Sequence, residues 1–389
     1  MATKKAGAKK PRQAAPRGTA ARAKRAAAHP GKQAVPAGVG KSEKLELNLA
    51  LQGGGAHGAF TWGALDRLLE EEDIAIKGIS GTSAGAMNAA VLIAGYNEAG
   101  RLGARERLRE FWKEISDVAA SIGPLGQSAS TDALSEIPGF DWLAALNPAD
   151  MLTRVFSPYE FNPLNFNPLR NVLERVLDVK KLHAGIDLFV TATNVETGEA
   201  RIFRDGEITI DVLLASACLP FLYQAIELDG VPYWDGGYMG NPSIWPLIYR
   251  TKCPDVLLVQ INPIKRSGTP KHALDIINRV NEISFNSSLI AEMRAINFVA
   301  KLVKSGKLNA EEYSEMFMHR VMPPIDMREM TAASKMNASW GFFTLLFSVG
   351  RTQMDEWLKH NKKYIGKRGT LDIEEHFLAK SSNKRKSAE

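Results

Sequence analysis

The sequence predicts an α/β domain built around a mainly parallel sheet, and two observations carry this prediction. Short apolar runs alternate with segments of helical periodicity from residue 45 onward, a pattern typical of parallel strands joined by helices. Glycine-rich turns follow the first two apolar runs, where each strand would pass into a helix. The 389 residues include 45% apolar and 24% charged residues, as in an ordinary globular protein.

The predicted elements begin in the order strand, helix, strand, helix, helix. In this first part, the strands are predicted at 45–52 and 74–80, and the helices at 58–72, 84–96 and 104–116. The second part is predicted to hold a hairpin of 186–195 with 199–203, a strand–turn–strand unit at 223–237, a buried strand at 255–263, and helices at 208–217, 273–306 and 340–361.

Positive charge is concentrated at the start of the chain. Residues 1–44 contain 12 Lys and Arg and one acid, which gives this segment a net charge of +11. Because the whole chain has a net charge of +6, the remaining residues carry −5. This Ala-, Lys- and Pro-rich segment is predicted to be a disordered tail. It is either a plain linker or a docking segment for an anionic membrane, and nucleic acid is the less favoured partner. Residues 362–389 are expected to form a C-terminal segment that ends in a second basic tail.

Two other features bear on organisation and location. Residues 119–170 are rich in Gly, Pro, Asn and aromatic residues, which predicts either a lid or an insertion without function inside a domain of residues 45–361. Cys218 and Cys253 make neither a disulfide framework nor a metal-ligand cluster. No apolar run reaches the roughly 20 residues of a membrane-spanning helix. A cytoplasmic protein, with peripheral membrane contact through its tail, is therefore expected.

The glycine-rich turn after the first strand allows two interpretations. Gly53, Gly55 and Gly58 spell the G-x-G-x-x-G of a dinucleotide-binding turn. Such a site also needs an acid at the end of the second strand, and this strand ends in Ser80-Gly81 instead. The same glycines could present backbone N–H groups to a developing oxyanion.

The turn after the second strand favours the oxyanion interpretation. It reads GTSAG at residues 81–85, a G-x-S-x-G between an apolar strand and a helix of small residues, which is the setting of a nucleophile elbow. Ser83 is the predicted nucleophile. Gly81 and Gly85 would allow the strand and the helix to approach each other closely.

The base that Ser83 requires is predicted to be a carboxylate. His57 belongs to the glycine-rich turn, and none of the other histidines follows a strand in a short glycine-bearing loop. A surface role is expected for His272, His319, His360 and His376. Asp235 does follow a predicted strand, and two glycines come after it. A partly desolvated carboxylate within hydrogen-bond reach can act as a base. The alternatives are an Asp-Gly turn without function at Asp235 and, less favoured, His57 as the base.

The motifs GGGAHG, GTSAG and DGG, in this order, resemble those of the patatin-like phospholipases, and the resemblance extends over residues 45–361. It implies a three-layer α/β/α fold with a mainly parallel central sheet and C-terminal helices. It also implies a dyad of Ser83 and Asp235, no metal or other cofactor, and oxyanion-hole amides from Gly53, Gly54 and Gly55. Members of the family often carry Arg or Lys where this chain has His57.

The resemblance implies a serine lipid acyl hydrolase, of phospholipase A or esterase type, that cleaves lipid acyl esters through an acyl-enzyme intermediate. The alternative that the protein is a nucleotide-dependent oxidoreductase is less favoured, because the second strand does not end in the acid that a dinucleotide site needs. The remaining alternative is a basic-tailed protein that docks on a membrane or nucleic acid and has weak or no hydrolase activity.

Overall fold

The computed structural model describes residues 44–122, 157–182, 185–271, 273–309, 315–324, 327, 330 and 333–378. The predicted basic tail up to residue 43, most of the predicted lid and the end of the C-terminal tail lie outside the described residues. His29, His183 and His272 lie outside them as well. Among the helices described, none has the length and apolar character needed to cross a membrane.

The strands form one mixed, mostly parallel sheet, which confirms the predicted fold class. In the described residues they are β1 (Leu45–Leu51), β2 (Ile74–Gly81), β3 (Asp187–Asn194), β4 (Ala200–Arg204), β5 (Ile226–Leu228), β6 (Val231–Asp235), β7 (Asp255–Val259) and β8 (Phe317–Val321). Their order is β5–β6–β3–β2–β1–β7–β8, with β4 paired to β3. The β3–β4, β3–β6 and β5–β6 pairs are antiparallel, and the other pairs are parallel.

The predicted helices are present in the predicted order. The helices of the described residues are α1 (Gly58–Leu68), α2 (Ala84–Ser121), α3 (Pro158–Phe161), α4 (Pro168–Val176), α5 (Ile210–Ser216), α6 (Trp245–Arg250), α7 (Ala273–Lys304), α8 (Trp340–Asn361) and α9 (Ile373–His376). Of these, the short helices α3, α4, α6 and α9 were not predicted. The two helices predicted at 84–96 and 104–116 are the two arms of α2. They are separated by a break at Ala99 and Gly100, where the backbone is not helical.

The alternation of side chains along β1 shows why the fold has three layers. Successive residues of a strand point to opposite faces of the sheet. Leu47, Leu49 and Leu51 belong to the larger core, which also contains buried residues of α1, α2 and α8. Ala50 belongs to a second core with Leu247 of α6 and with Leu289 and Met293 of α7. Helices therefore cover both faces of the sheet.

Glycines bring α1 and α8 into backbone contact. A Cβ atom on Gly63 of α1 would overlap the carbonyl oxygen of Phe347, and one on Gly350 of α8 would overlap that of Phe60. The Trp62 and Phe347 rings lie beside this contact, with their centroids 4.2 Å apart. The last long helix is thereby fixed against α1, the helix that begins directly after the glycine-rich turn.

Strand β8 was not predicted, and it overturns one expectation about the histidines. His319 was expected at the surface, and this is wrong, since its side chain is fully buried in the middle of β8. Its ring nitrogens lie 3.0 Å from Asp255 Oδ1 and 2.8 Å from Thr370 Oγ1. The strand was missed because two of its five residues, His319 and Arg320, are polar, so the sequence FMHRV does not read as an apolar run. Burial is possible because the ring nitrogens have polar partners.

Candidate active site

Ser83 lies in a strained turn between β2 and α2. Its backbone has φ 54° and ψ −125°, a region that residues other than glycine rarely adopt, at a cost of about 1–3 kcal/mol. Neighbouring groups hold the turn: the Ser83 N–H donates to Ser216 Oγ at 2.9 Å, and the Thr82 hydroxyl donates to the Gly240 carbonyl at 2.6 Å. The strained backbone leaves the Ser83 side chain half-buried at the start of α2.

Glycines are required on both sides of Ser83. A Cβ atom on Gly81 would lie 2.7 Å from the backbone nitrogen of Ala86. A Cβ atom on Gly85 would overlap the carbonyl oxygen of Leu51, the last residue of β1. Because neither contact can relax without moving backbone, only glycine lets α2 start this close to the sheet.

The glycine-rich turn after β1 packs directly against Ser83. A Cβ atom on Gly53 would lie 2.6 Å from Ser83 Cβ. Gly54 has an extended backbone, with φ 174°. Gly55 has φ 58°, and a Cβ atom there would lie 2.6 Å from the carbonyl oxygen of Lys335. The turn is therefore enclosed between the elbow and the 3-10 turn at Ala333–Met336.

The three glycine amides differ in their hydrogen bonds. The Gly53 N–H donates to Asn241 Oδ1 at 2.7 Å, so this donor is already engaged. In the part of the chain that the structure describes, no acceptor takes the N–H of Gly54 or Gly55. These two amides are therefore the donors of the turn that a ligand oxygen could use.

Asp235 is the last residue of β6, and its side chain is 1% exposed. Its Oδ1 accepts a hydrogen bond from the Gly237 N–H at 2.7 Å, and its own N–H donates to the Cys218 carbonyl at 2.8 Å. Burial raises the pKa of Asp235 to about 7, although hydrogen bonds from the Gly237 N–H and the Ser83 side chain oppose the rise. The Ser83 side chain thus interacts with a carboxylate of near-neutral pKa.

Comparison with known proteins decides the family. A family model for patatin-like phospholipases matches residues 49–248, which include Ser83, Asp235 and the glycine-rich turn.

The chain belongs to the patatin-like phospholipase family.

Membership places the protein among the lipid acyl hydrolases, and it agrees with the α/β/α architecture described above. No curated protein matches the chain. Among solved structures, the crystal structure of VipD from Legionella pneumophila is similar at 16% sequence identity and a TM-score of 0.39. That likeness covers 87% of this chain and 73% of VipD.

The His57 ring of this patatin domain contacts Ser334. Its Nε2 lies 2.8 Å from Ser334 Oγ, and the ring is 4% exposed. Burial, together with the positive charges of Lys335 and Arg266, lowers the pKa of His57 to about 3. The ring is therefore neutral at ordinary pH, and it braces the glycine-rich turn against the segment that carries Ser334.

No histidine in the described residues forms a hydrogen bond or ion pair with Ser83 or Asp235. His319 is buried beside Asp255, and His360 is an exposed residue near Glu356. Burial lowers the pKa of His376, which lies in α9 at the end of the described chain. The described residues also contain no group of three His, Cys, Asp or Glu that could hold a metal ion.

A buried network of amide side chains holds the glycine-rich turn in place, and the sequence did not reveal it. Gln52 Oε1 accepts hydrogen bonds from the N–H groups of Ile261 and Asn262, both at 2.8 Å. The Asn262 side chain donates to the Gly53 carbonyl at 2.7 Å, and Gln52 Nε2 donates to the Asn241 carbonyl at 3.1 Å. The one visible signal is that Gln52 is a polar residue placed directly after the buried strand β1, and that Asn262 follows the buried strand β7 three residues after its end.

Proposed function

We propose that this protein is a serine lipid acyl hydrolase in which Ser83 is the nucleophile and Asp235 is its base. The hydrogen-bonding interaction of the Ser83 side chain with the buried Asp235 carboxylate carries the proposal. A base is most effective when its pKa lies near the working pH, and burial raises the pKa of Asp235 to about 7. Family membership supplies the substrate class, acyl esters of lipids.

In the proposed reaction, Asp235 accepts the Ser83 proton while the serine oxygen attacks the ester carbonyl. The negative charge that develops on the carbonyl oxygen is stabilised by the N–H groups of Gly54 and Gly55. A well-placed donor of this kind contributes about 3–4 kcal/mol. The positive end of α2, which begins at Ala84, favours the same charge.

The second half of the reaction uses the same groups. Collapse of the tetrahedral intermediate releases the alcohol part of the lipid, which takes the proton from Asp235, and leaves an acyl ester on Ser83. Asp235 then accepts a proton from water, whose oxygen attacks the acyl carbonyl. When the second tetrahedral intermediate collapses, the fatty acid leaves and the Ser83 oxygen takes the proton from Asp235, which restores the hydroxyl and the carboxylate.

Fluorophosphonate labelling followed by peptide mapping tests the proposal, because this reagent reacts with activated serines. Wild-type protein should be labelled at Ser83, and S83A should not be labelled. D235N should be labelled about a hundredfold more slowly or worse, since it removes the base. S348A, which removes an exposed hydroxyl on α8, is the matched control and should behave as wild type. Labelling of S83A, or unchanged labelling of D235N, would overturn the assignment.

The same variants should differ in their release of fatty acid in a lipid assay. Wild type and S348A should release fatty acid from phospholipid vesicles, and S83A and D235N should not. The positions of the released chains then identify which acyl ester is cleaved. Release by S83A at the wild-type rate would contradict the proposed role of Ser83.

A further inference from the structure

Helix α7 exposes an apolar face that no described element covers. We call this face the α7 stripe. The large apolar side chains on it are between 44% and 61% exposed: Ile276, Ile277, Val280, Ile283 and Phe298. The other exposed residues between them are Ser287, Ala291, Arg294 and Ala295. At 3.6 residues per turn, all nine lie within roughly 120° of one another around the helix, over a length of about 33 Å.

The charge of the stripe is as unusual as its apolar character. Residues 45–389 carry a net charge of −5, yet the exposed positions from 276 to 298 include one cation and no acid. Two exposed lysines, Lys265 and Lys271, lie in the loop that leads into α7. The nearest exposed acid, Asp275, lies just before the stripe. An apolar face with cations at its border is complementary to an anionic lipid surface.

The opposite side of α7 forms part of the candidate active site. The Phe285 ring stacks edge-on against Tyr238, with centroids 4.9 Å apart, and lies against Gly237, the residue whose N–H donates to Asp235. Asn286 donates to the Pro263 carbonyl at 3.1 Å and accepts from Gln52 at 3.4 Å. One helix therefore carries both the exposed apolar face and the contacts that hold the site.

We propose that the α7 stripe is the surface by which this protein docks on an anionic lipid bilayer. Val280, Ile283 and Phe298 enter the boundary between head groups and acyl chains, while Arg294 and the two loop lysines contact anionic head groups. Docking this helix brings the Asp235 loop, which α7 contacts from its other side, close to the membrane that holds the substrate. The use of this surface in catalysis rests on the proposed lipid hydrolase function, whereas the docking itself does not.

Vesicle binding of the full chain tests the docking directly. The S83A protein is used so that no lipid is consumed, and it is sedimented with vesicles of phosphatidylcholine and phosphatidylglycerol at low and high salt. Adding V280D and I283D should weaken binding by about tenfold or more, and at high salt should abolish it, because charges replace two membrane-facing apolar side chains. L345D is the matched control, since Leu345 on α8 is 53% exposed and lies outside the stripe. L345D should bind as the parent does.

A second measurement separates this proposal from the proposed function. In otherwise wild-type protein, V280D/I283D should lose hydrolysis of lipid in vesicles while keeping turnover of a short soluble nitrophenyl ester. If wild type hydrolyses neither substrate, the proposed function fails and the sedimentation result still decides the docking.

Two results would overturn the docking proposal. One is unchanged vesicle binding by V280D/I283D. The other is a dimer, detected by sedimentation equilibrium, that V280D/I283D dissociates without any loss of vesicle binding. The second result would identify the stripe as a contact between two copies of the chain.

Discussion

At the scale of single residues, Asp235 obtains its basicity from burial and not from a charged neighbour. Its pKa of about 7 results from desolvation of the carboxylate, which outweighs the hydrogen bonds that favour the ionised form. An ordinary aspartate is a weak proton acceptor at neutral pH, whereas a carboxylate with this pKa is half ionised there. The environment of one side chain thus supplies the property for which many hydrolases use histidine.

The rate of ester hydrolysis should therefore fall as the pH is lowered through about 7, because protonated Asp235 cannot accept the Ser83 proton. We expect kcat/KM for a soluble ester to drop about tenfold for each pH unit below that value and to level off above it. A pH–rate profile on wild type checks this. A profile that stays flat down to about pH 5 would show that Asp235 keeps an ordinary pKa or is not the base.

His57 should affect stability and leave the pH dependence of catalysis unchanged. Replacing it by Phe removes the contact with Ser334 and leaves a buried hydroxyl short of one partner, at a cost of about 1–3 kcal/mol. Chemical denaturation of H57F and wild type measures this loss. The same variant should keep the wild-type fall in rate below about pH 7. Disappearance of that fall would instead make His57 the titrating base.

At the scale of elements, the strand–turn–helix unit of the elbow depends on close backbone approach. G85A should destabilise the protein by about 3 kcal/mol or more, because its Cβ atom would overlap the Leu51 carbonyl and backbone must move. G206A is the control, since a Cβ atom at Gly206 meets nothing within 4 Å. Thermal unfolding should show a clearly lower Tm for G85A and nearly the wild-type Tm for G206A. Equal Tm values would mean that the elbow is less tightly packed.

Elements with a local pattern could be predicted from the sequence, and contacts across the chain could not. Strands β1 and β2, the β3–β4 hairpin and helix α8 all show clear periodicity or turn residues, and each was predicted within a few residues. The motif around Ser83 is equally local. The amide network is not, because Gln52 contacts Asn241 and Asn262 from about two hundred residues away along the chain. The residues around Gln52 in the sequence do not indicate which distant residues it contacts.

At the scale of the whole molecule, charge is divided between a basic tail and an acidic body. Deleting residues 1–44, which contribute +11 to the net charge, should remove most of the salt-sensitive part of binding to anionic vesicles and leave the part due to Arg294, Lys265 and Lys271. Turnover of a soluble ester should not change, because the described site draws no residue from this segment. Vesicle sedimentation at several salt concentrations measures the effect. Identical salt dependence with and without the tail would rule out an electrostatic role for it.

The contact between α1 and α8 shows that the core of the domain extends beyond the residues matched by the family model. The match ends at residue 248, yet Gly350, Asn262 and Lys335, which enclose the glycine-rich turn and the helix behind it, all lie beyond that point. A gene fragment that ends with the match would encode both Ser83 and Asp235. It would still lack the later residues that pack around the glycine-rich turn and α1. Surveys by motif or by fragment library would therefore recover the candidate residues and lose the packing around them.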